Sequence, residues 1–273
     1  STGAGNDQIR FDLVFHIMAP EMEVLTPIRS LGLSRADEVA YLAKHGVTVD
    51  EKQAAYSINK GLWGTSVGGV ETLTSQKGLP EHAWPSQLKN THEEEVKLIF
   101  EQGELLGINE QTFEHPLDAI TELQKLAEPF AIGRDIHIGD TIIGLKGRVG
   151  FEAAAPLIII KAHHVLEKHT LTKVQLQWKD QGAQQYGAML HEGQFLEPAM
   201  RDVEALLTSA QKRVSGTVTV ALKPYHFQVV GVDSNYDLMA ASGGHYGEAT
   251  GNWTEQDVKG FSKLIAQPLQ WYH

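Results

Sequence analysis

The sequence predicts an α/β front, like the tail of a parallel-sheet domain, then an α+β domain and a terminal helix. Three observations predict this. Helix-type and strand-type patterns alternate up to about residue 50. Alternating apolar runs then pair into hairpins and give way to long helical periodicities, the order expected of an α+β domain. A last amphipathic stretch follows the third hairpin. The expected divisions are residues 1–55, 56–253 and 254–273.

Taken in order, a glycine-rich turn at residues 1–5 runs into a helix that puts Asn6 and Arg10 one turn apart on one face. Ile9, Leu13 and Ile17 form a neighbouring apolar stripe, and Pro20 ends the element. Residues 23–28 read as a short buried strand. Ser34 and Asp37 form an N-cap and N3 pair for a helix with Val39, Leu42 and Ala43 on its apolar face and Gly46 as its stop. Residues 71–95 turn polar around Gly78, Pro80 and Pro85, a long surface loop or an inter-domain connection. Val96, Leu98 and Phe100 alternate before the Gln102-Gly103 turn, and Leu105 resumes the pattern as a hairpin. Pro116 opens a helix bearing Leu117, Ile120 and Leu123. Residues 136–143 and 145–151 make a second hairpin, and helices are expected over 156–169, 171–191 and 197–213. Val218, Val220 and Leu222, then Phe227 and Val229, form a third hairpin across Lys223-Pro224. Residues 254–269 are a final helix with Phe261, Leu264 and Ile265 on one side.

Composition excludes several function classes. A net charge of −11 argues against sequence-independent binding to nucleic acid or to an anionic membrane, although backbone amides and a few placed cations can still hold a phosphate. There is no cysteine, which removes disulfides, thiolate catalysis and Cys-type zinc sites and suits a cytoplasmic protein. The longest apolar run, residues 153–160 with Pro156 inside, is far short of the ~20 residues of a membrane helix. No basic stretch followed by an apolar one opens the chain, so no leader is expected.

The richest segment chemically is the first. Gly3 and Gly5 let backbone approach a ligand, Thr2 adds a hydroxyl, and Asn6, Asp7 and Arg10 add an amide, an anion and a forked cation within one helical turn. That set suits a zwitterionic amino acid beside a phosphate; the plainer alternative is a tight turn capping a helix. Residues 56–66 offer Ser57 and Ser66 as hydrogen-bonding groups for a polar ligand, or else an ordinary loop pinned by a buried Trp63. His163, His164 and His169 look like metal ligands, but adjacent residues on a helix point about 100° apart, so no metal site is assigned. The glycines after Ser242 read as a surface turn.

Together these segments resemble the argininosuccinate synthase family. The resemblance runs along nearly the whole chain, through residues 1–11, Thr26-Pro27-Ile28-Arg29, residues 34–38 on to His45-Gly46, residues 56–66, Gly133-Arg134-Asp135, residues 144–148 and Ser215-Gly216-Thr217-Val218. It implies the end of an adenine nucleotide α-hydrolase-like nucleotide-binding domain, then a synthetase and multimerisation domain whose C-terminal helix reaches a neighbouring subunit of a homotetramer. It implies a cytoplasmic ligase of arginine biosynthesis that joins citrulline and aspartate using ATP with Mg2+. The ureido oxygen of citrulline attacks the α-phosphorus, giving a citrullyl-adenylate and pyrophosphate, and the aspartate amine then displaces AMP. Such catalysis is positioning and charge stabilisation, so no acid or base is assigned. By position, Thr2, Asn6 and Asp7 hold aspartate, and Asn6, Arg10, Ser57 and Ser66 hold citrulline. The backbone of Ser1, Thr2, Gly3, Gly5 and Asn6 lies along ATP.

Two departures from the family pattern matter. Gly139 stands where most members carry a Glu for the α-ammonium of citrulline, and Phe151 stands where they carry a Tyr. Loss of an anion beside extra space suits an N-acylated citrulline, whose nitrogen is neutral and bulkier; the plainer alternative is free citrulline with another residue in place of the Glu. The second departure is that the family's pyrophosphate loop has no counterpart within these residues. The expectation is a chain lacking the front of its nucleotide-binding domain, with a catalytically incomplete substrate-half and assembly module as the alternative.

Overall fold

The computed structural model describes residues 5–48, 56–243 and 253–273. The front holds three helices: α1 (Asn6–Met18), α2 (Pro27–Leu31) and α3 (Arg35–Lys44). Ser34 caps α3 reciprocally with Asp37, which satisfies two orphan backbone donors. The carbonyls of Leu42 and Ala43 accept from the amides past its end, with Gly46 at φ +80°. The strand expected at residues 23–28 is not there. Pro27 takes the first position of α2, where its fixed φ and missing N–H favour a helix start, and Leu25 is exposed. Among the described residues of the front there is no strand, so its α/β character does not appear in them. The apolar stripe of α1 is also looser than expected: Ile9 and Leu13 are half-buried and Ile17 is exposed.

Two antiparallel sheets follow. One has the order β1 (Tyr56–Gly61), β2 (Gly64–Gly69), β7 (Lys146–Glu152), β6 (Arg134–Asp140). The other runs β5 (Gln111–Thr112), β4 (Glu104–Ile108), β3 (Glu94–Glu101), β8 (Gly216–Lys223), β9 (His226–Asp233). The five-stranded sheet makes the main core. Val96, Leu98 and Phe100 of β3 and Val218, Val220 and Leu222 of β8 point to one face by the two-residue period. That face is covered by α4 (Pro116–Ala127) and α5 (Ala154–Thr170), which bury Ala119, Leu123 and Ala127, and Ala155, Ile158, Ala162 and Leu166, at helical spacing. An antiparallel pair, α6 (Lys173–His191) and α7 (Ala199–Gln211), packs outside. Short α8 (Leu238–Ala241) and the terminal α9 (Glu255–Tyr272) complete the chain. Among the described residues no helix is long and apolar enough to cross a membrane.

The four-stranded sheet is asymmetric. Thr65, Val67, Gly150 and Glu152 are buried on one face, where Leu79 presses against Gly150. Arg134 fastens the preceding loop there. It pairs with Glu152 at 3.2 Å and Glu81 at 2.9 Å, donates to the Ser86 carbonyl, and lies 5.5 Å from the ring centres of Trp84 and Tyr225. The polar stretch before β3, expected as a surface loop or connection, is therefore a surface segment strapped to this sheet. The other face is open and carries the residues singled out in the sequence.

Candidate functional site

Opposed residues of antiparallel strands share a face, so the register fixes which side chains line the open one. Asn59 pairs with Ser66, Ser66 with Phe151, and Phe151 with Asp135. Ser57, Val149 and His137 lie two residues from members of that row, Gly147 and Gly139 four, and all face the same way. The register thus brings Ser57, Ser66, Gly139 and Phe151 onto one surface. Residues 56–66 are not the loop considered as the alternative. They are a hairpin that turns at Leu62-Trp63, and Trp63 is half exposed rather than buried.

Gly139 has no backbone reason to be glycine. Its φ lies outside the left-handed region, and a Cβ built on it meets nothing within 4 Å. The space beside it is open. Phe151 leans the other way, over Gly64, whose added Cβ would collide with the ring, and lies 5.7 Å edge-on from the His137 ring. Gly64 sits at φ +137°, so the ring lies where only glycine leaves room.

α1 comes to the tip of the same sheet. Asn6 Oδ1 accepts from the backbone N–H of Ile142, in the β6–β7 turn three residues beyond Gly139 (3.0 Å). Asp7 and Arg10 are ion-paired at 2.8 Å. Arg10 also donates from Nε to the His191 carbonyl at 2.8 Å, with Nη2 3.2 Å from His191 Nδ1 at the end of α6. Gly5 precedes α1 in extended conformation and offers no capping side chain to the first-turn amides. Ser1, Thr2 and Gly3 lie outside the described residues. His191, His137 and Gly193 carried no sequence signal, because their partners are distant in the chain.

The histidines of α5 serve another centre. Glu167, fully buried, accepts from Lys179 (2.6 Å) and Gln211 (2.9 Å), and both His163 and His164 turn Nδ1 toward it, at 3.6 and 3.3 Å. The 100° separation does not keep them apart, because a carboxylate two atoms wide meets one ring at each oxygen. His169 pairs instead with Asp237 at 3.0 Å, and the imidazole hydrogen bond holds that carboxyl below its ordinary value. Ligand atoms of His164, Glu167 and Asp180 lie within 4.8 Å of one another, a spacing open to a metal. The Lys179 ammonium is 2.6 Å from Glu167 and 3.1 Å from Asp180, so the chain supplies the positive charge itself. Burial pushes Lys179 down, but hydrogen bonds and charge from Glu167 and Asp180 outweigh it and leave the ammonium above its ordinary value. A cavity of about 610 Å³ opens beside this cluster and shares no residue with the α1–sheet site.

The Arginosuccinate synthase C-terminal domain family matches residues 56–272, and the Arginosuccinate synthase N-terminal HUP domain family matches residues 1–48. The second match corrects the expectation of an absent N-terminal portion, since these residues are themselves recognised as that domain. The chain is 35% identical to the argininosuccinate synthase of Methanocaldococcus jannaschii over 240 residues, 87% of this chain and 60% of that protein. It is 33% identical to that of Dictyoglomus turgidum over 270 residues, 97% of this chain and 66% of the relative. It is 32% identical to that of Xanthomonas campestris pv. campestris over 283 residues, 99% and 69%. The chain thus spans less than two thirds of the length of the first two relatives. With both of the family's domains matched in order, and with the open sheet and the Asn6–Arg10 helix meeting at the β6–β7 turn, the chain belongs to the argininosuccinate synthase family.

Proposed function

We propose that the protein is an ATP-dependent ligase that joins aspartate to the ureido group of a citrulline whose α-nitrogen is acylated. The observation that carries the reading is the Asn6–Ile142 hydrogen bond, which sets the polar start of α1 against the tip of the open sheet. Asp7 would meet the aspartate ammonium, with Thr2 and Asn6 beside it. Arg10 would fork onto the citrulline carboxylate, and Ser57 and Ser66 would donate to the same substrate. Among the described residues no side chain caps the first turn of α1; its N–H groups and positive dipole end support ATP along residues 1–6, with magnesium arriving as MgATP. The ureido oxygen attacks the α-phosphorus and pyrophosphate leaves; the aspartate amine then attacks the adenylated carbon and AMP leaves. The chain's residues bring the reactants together and balance charge.

Open space at Gly139 supports the acylated form. Among the described residues, chain neighbours aside, no atom lies within 4 Å of a Cβ built there, and Phe151 offers a ring edge without a hydroxyl. The test is turnover by the whole protein of citrulline, N-acetylcitrulline and N-succinylcitrulline with aspartate and MgATP. One acylated form is expected to exceed citrulline in kcat/KM by about tenfold or more, the scale of one charged hydrogen bond. Comparable turnover of free citrulline with poor turnover of both acylated forms ends the acyl reading. No AMP or pyrophosphate from any of the three ends the ligase reading.

A further inference from the structure

We propose that His191 and Gly193, at the end of α6, are positioning residues that aim Arg10 at the substrate carboxylate. The inference rests on the reading of Arg10 as the carboxylate-binding residue. Arg10 and His191 are 181 residues apart in sequence. The guanidinium has five N–H groups in a fixed plane. Its side edge is taken: Nε donates to the His191 carbonyl at 2.8 Å and Nη2 faces His191 Nδ1 at 3.2 Å. A guanidinium only donates, so Nδ1 is the acceptor and the ring proton sits on Nε2. Nη1 donates to Asp7 Oδ1 at 2.8 Å. Among the described residues two N–H groups have no partner, one on each terminal nitrogen, the two ends of the fork that suits a carboxylate.

The end of α6 is built around this contact. The carbonyls of Ala188, Met189 and Leu190 accept from the amides of Glu192, Gln194 and Gly193, and the carbonyl of His191 accepts from Arg10. Four orphan acceptors are thereby satisfied, the last by the arginine, and the negative end of the helix faces its charge. Gly193, at φ +80°, lets the backbone come so close that an added Cβ would lie 3.0 Å from Arg10 Cγ and 3.2 Å from its Cα. His191 thus fixes the plane of the guanidinium and Gly193 fixes its distance.

The test uses the whole protein and steady-state kinetics with the ureido substrate, aspartate and ATP each varied. His191→Leu keeps the carbonyl and removes the ring acceptor; Gly193→Ala pushes on the Arg10 stem. Each is expected to raise KM for the ureido substrate by about tenfold, with KM for ATP within twofold; Tm is expected to stay unchanged in His191→Leu and to fall in Gly193→Ala, whose φ of +80° strains any side chain. His191→Asn, which restores an acceptor, is expected to bring that KM back to within twofold of the parent. A fall in Tm with KM unchanged, or a rise in all three KM values together, would make the contact structural only and overturn the proposal. Arg10→Leu separates the two levels. If it leaves KM for the ureido substrate unchanged, the reading of Arg10 is wrong. If it raises that KM while His191→Leu and Gly193→Ala do not, only the positioning role is lost.

Discussion

At the scale of single residues, the energetically tense group is Glu167, a carboxylate with no solvent exposure. Its charge is tolerable because Lys179 and Gln211 saturate both oxygens. Lys179→Met leaves that charge alone and is expected to cost about 3–5 kcal/mol, read as a lower urea midpoint at constant m-value. His163 belongs to the same centre. Burial pushes its ring below the ordinary 6.5, while Glu167 and Gln211 pull the other way. The folded ring therefore resists protonation, and the unfolded chain takes up the proton first as pH falls. Its contribution to stability is present above pH 6.5 and is lost as pH drops below that value. Urea melts between pH 8 and pH 5 on the parent and on His163→Asn check this, with a shallower acid-side decline expected in the variant. Glu167 was hard to find in the sequence because buried acids look like surface acids in a string. Its offsets of three and four from His164 and His163 were visible, but Lys179 and Gln211 come from other helices. The Asn6, Asp7 and Arg10 group was legible because all three sit within one helical turn.

At the scale of elements, hairpins with alternating apolar residues were legible and polar ones were not. Val96, Leu98 and Phe100 announce β3 because one face of that strand is core. β1 and β2 carry serines, an asparagine and glycines, since one face is open and β1 is largely exposed, so the period-two signal is nearly absent. The α2 helix was hidden by apolar Val24 and Leu25 before Pro27, which imitate a strand although Leu25 faces water. A tight junction joins the two sheets' elements. Gly133, at φ +85°, precedes β6, and its carbonyl accepts from the amide of Ala153 just before α5. A Cβ on Gly133 would fall 2.7 Å from the Ala153 carbonyl carbon and 2.8 Å from the Ala154 nitrogen, both backbone, with nothing flexible to yield. Gly133→Ala is expected to destabilise the fold by at least about 2 kcal/mol, combining left-handed strain with the clash, as measured by chemical denaturation.

At the scale of the whole molecule, α9 is exposed at every residue but Ala266, which is half-buried. Thr254 and Asp257 cap it reciprocally, and Val258, Phe261, Ile265 and Leu269 run down one side at helical spacing, all exposed. Such a stripe suits docking on another copy of the chain, the tetramer contact that the family resemblance implies. Removal of residues 254–273 is expected to lower the oligomeric mass in light scattering while leaving the far-ultraviolet spectrum of the remaining elements intact. This helix was legible from its pattern; the site as a whole was only half legible, because the meeting of α1 with α6 and with the β6–β7 turn is tertiary and leaves no local mark. Finally, the Arg134 strap changes how the protein should meet a protease. Lys77 gives its carbonyl to Arg148 at 2.7 Å, and Lys89 gives its amide to Pro129 at 2.7 Å. A segment that reads in sequence as a long surface loop is therefore held at both of its lysines. Its susceptibility to trypsin would rise when Arg148 releases the Lys77 carbonyl and Arg134 lets go of Glu81, which makes nicking there a clock for the segment leaving this sheet.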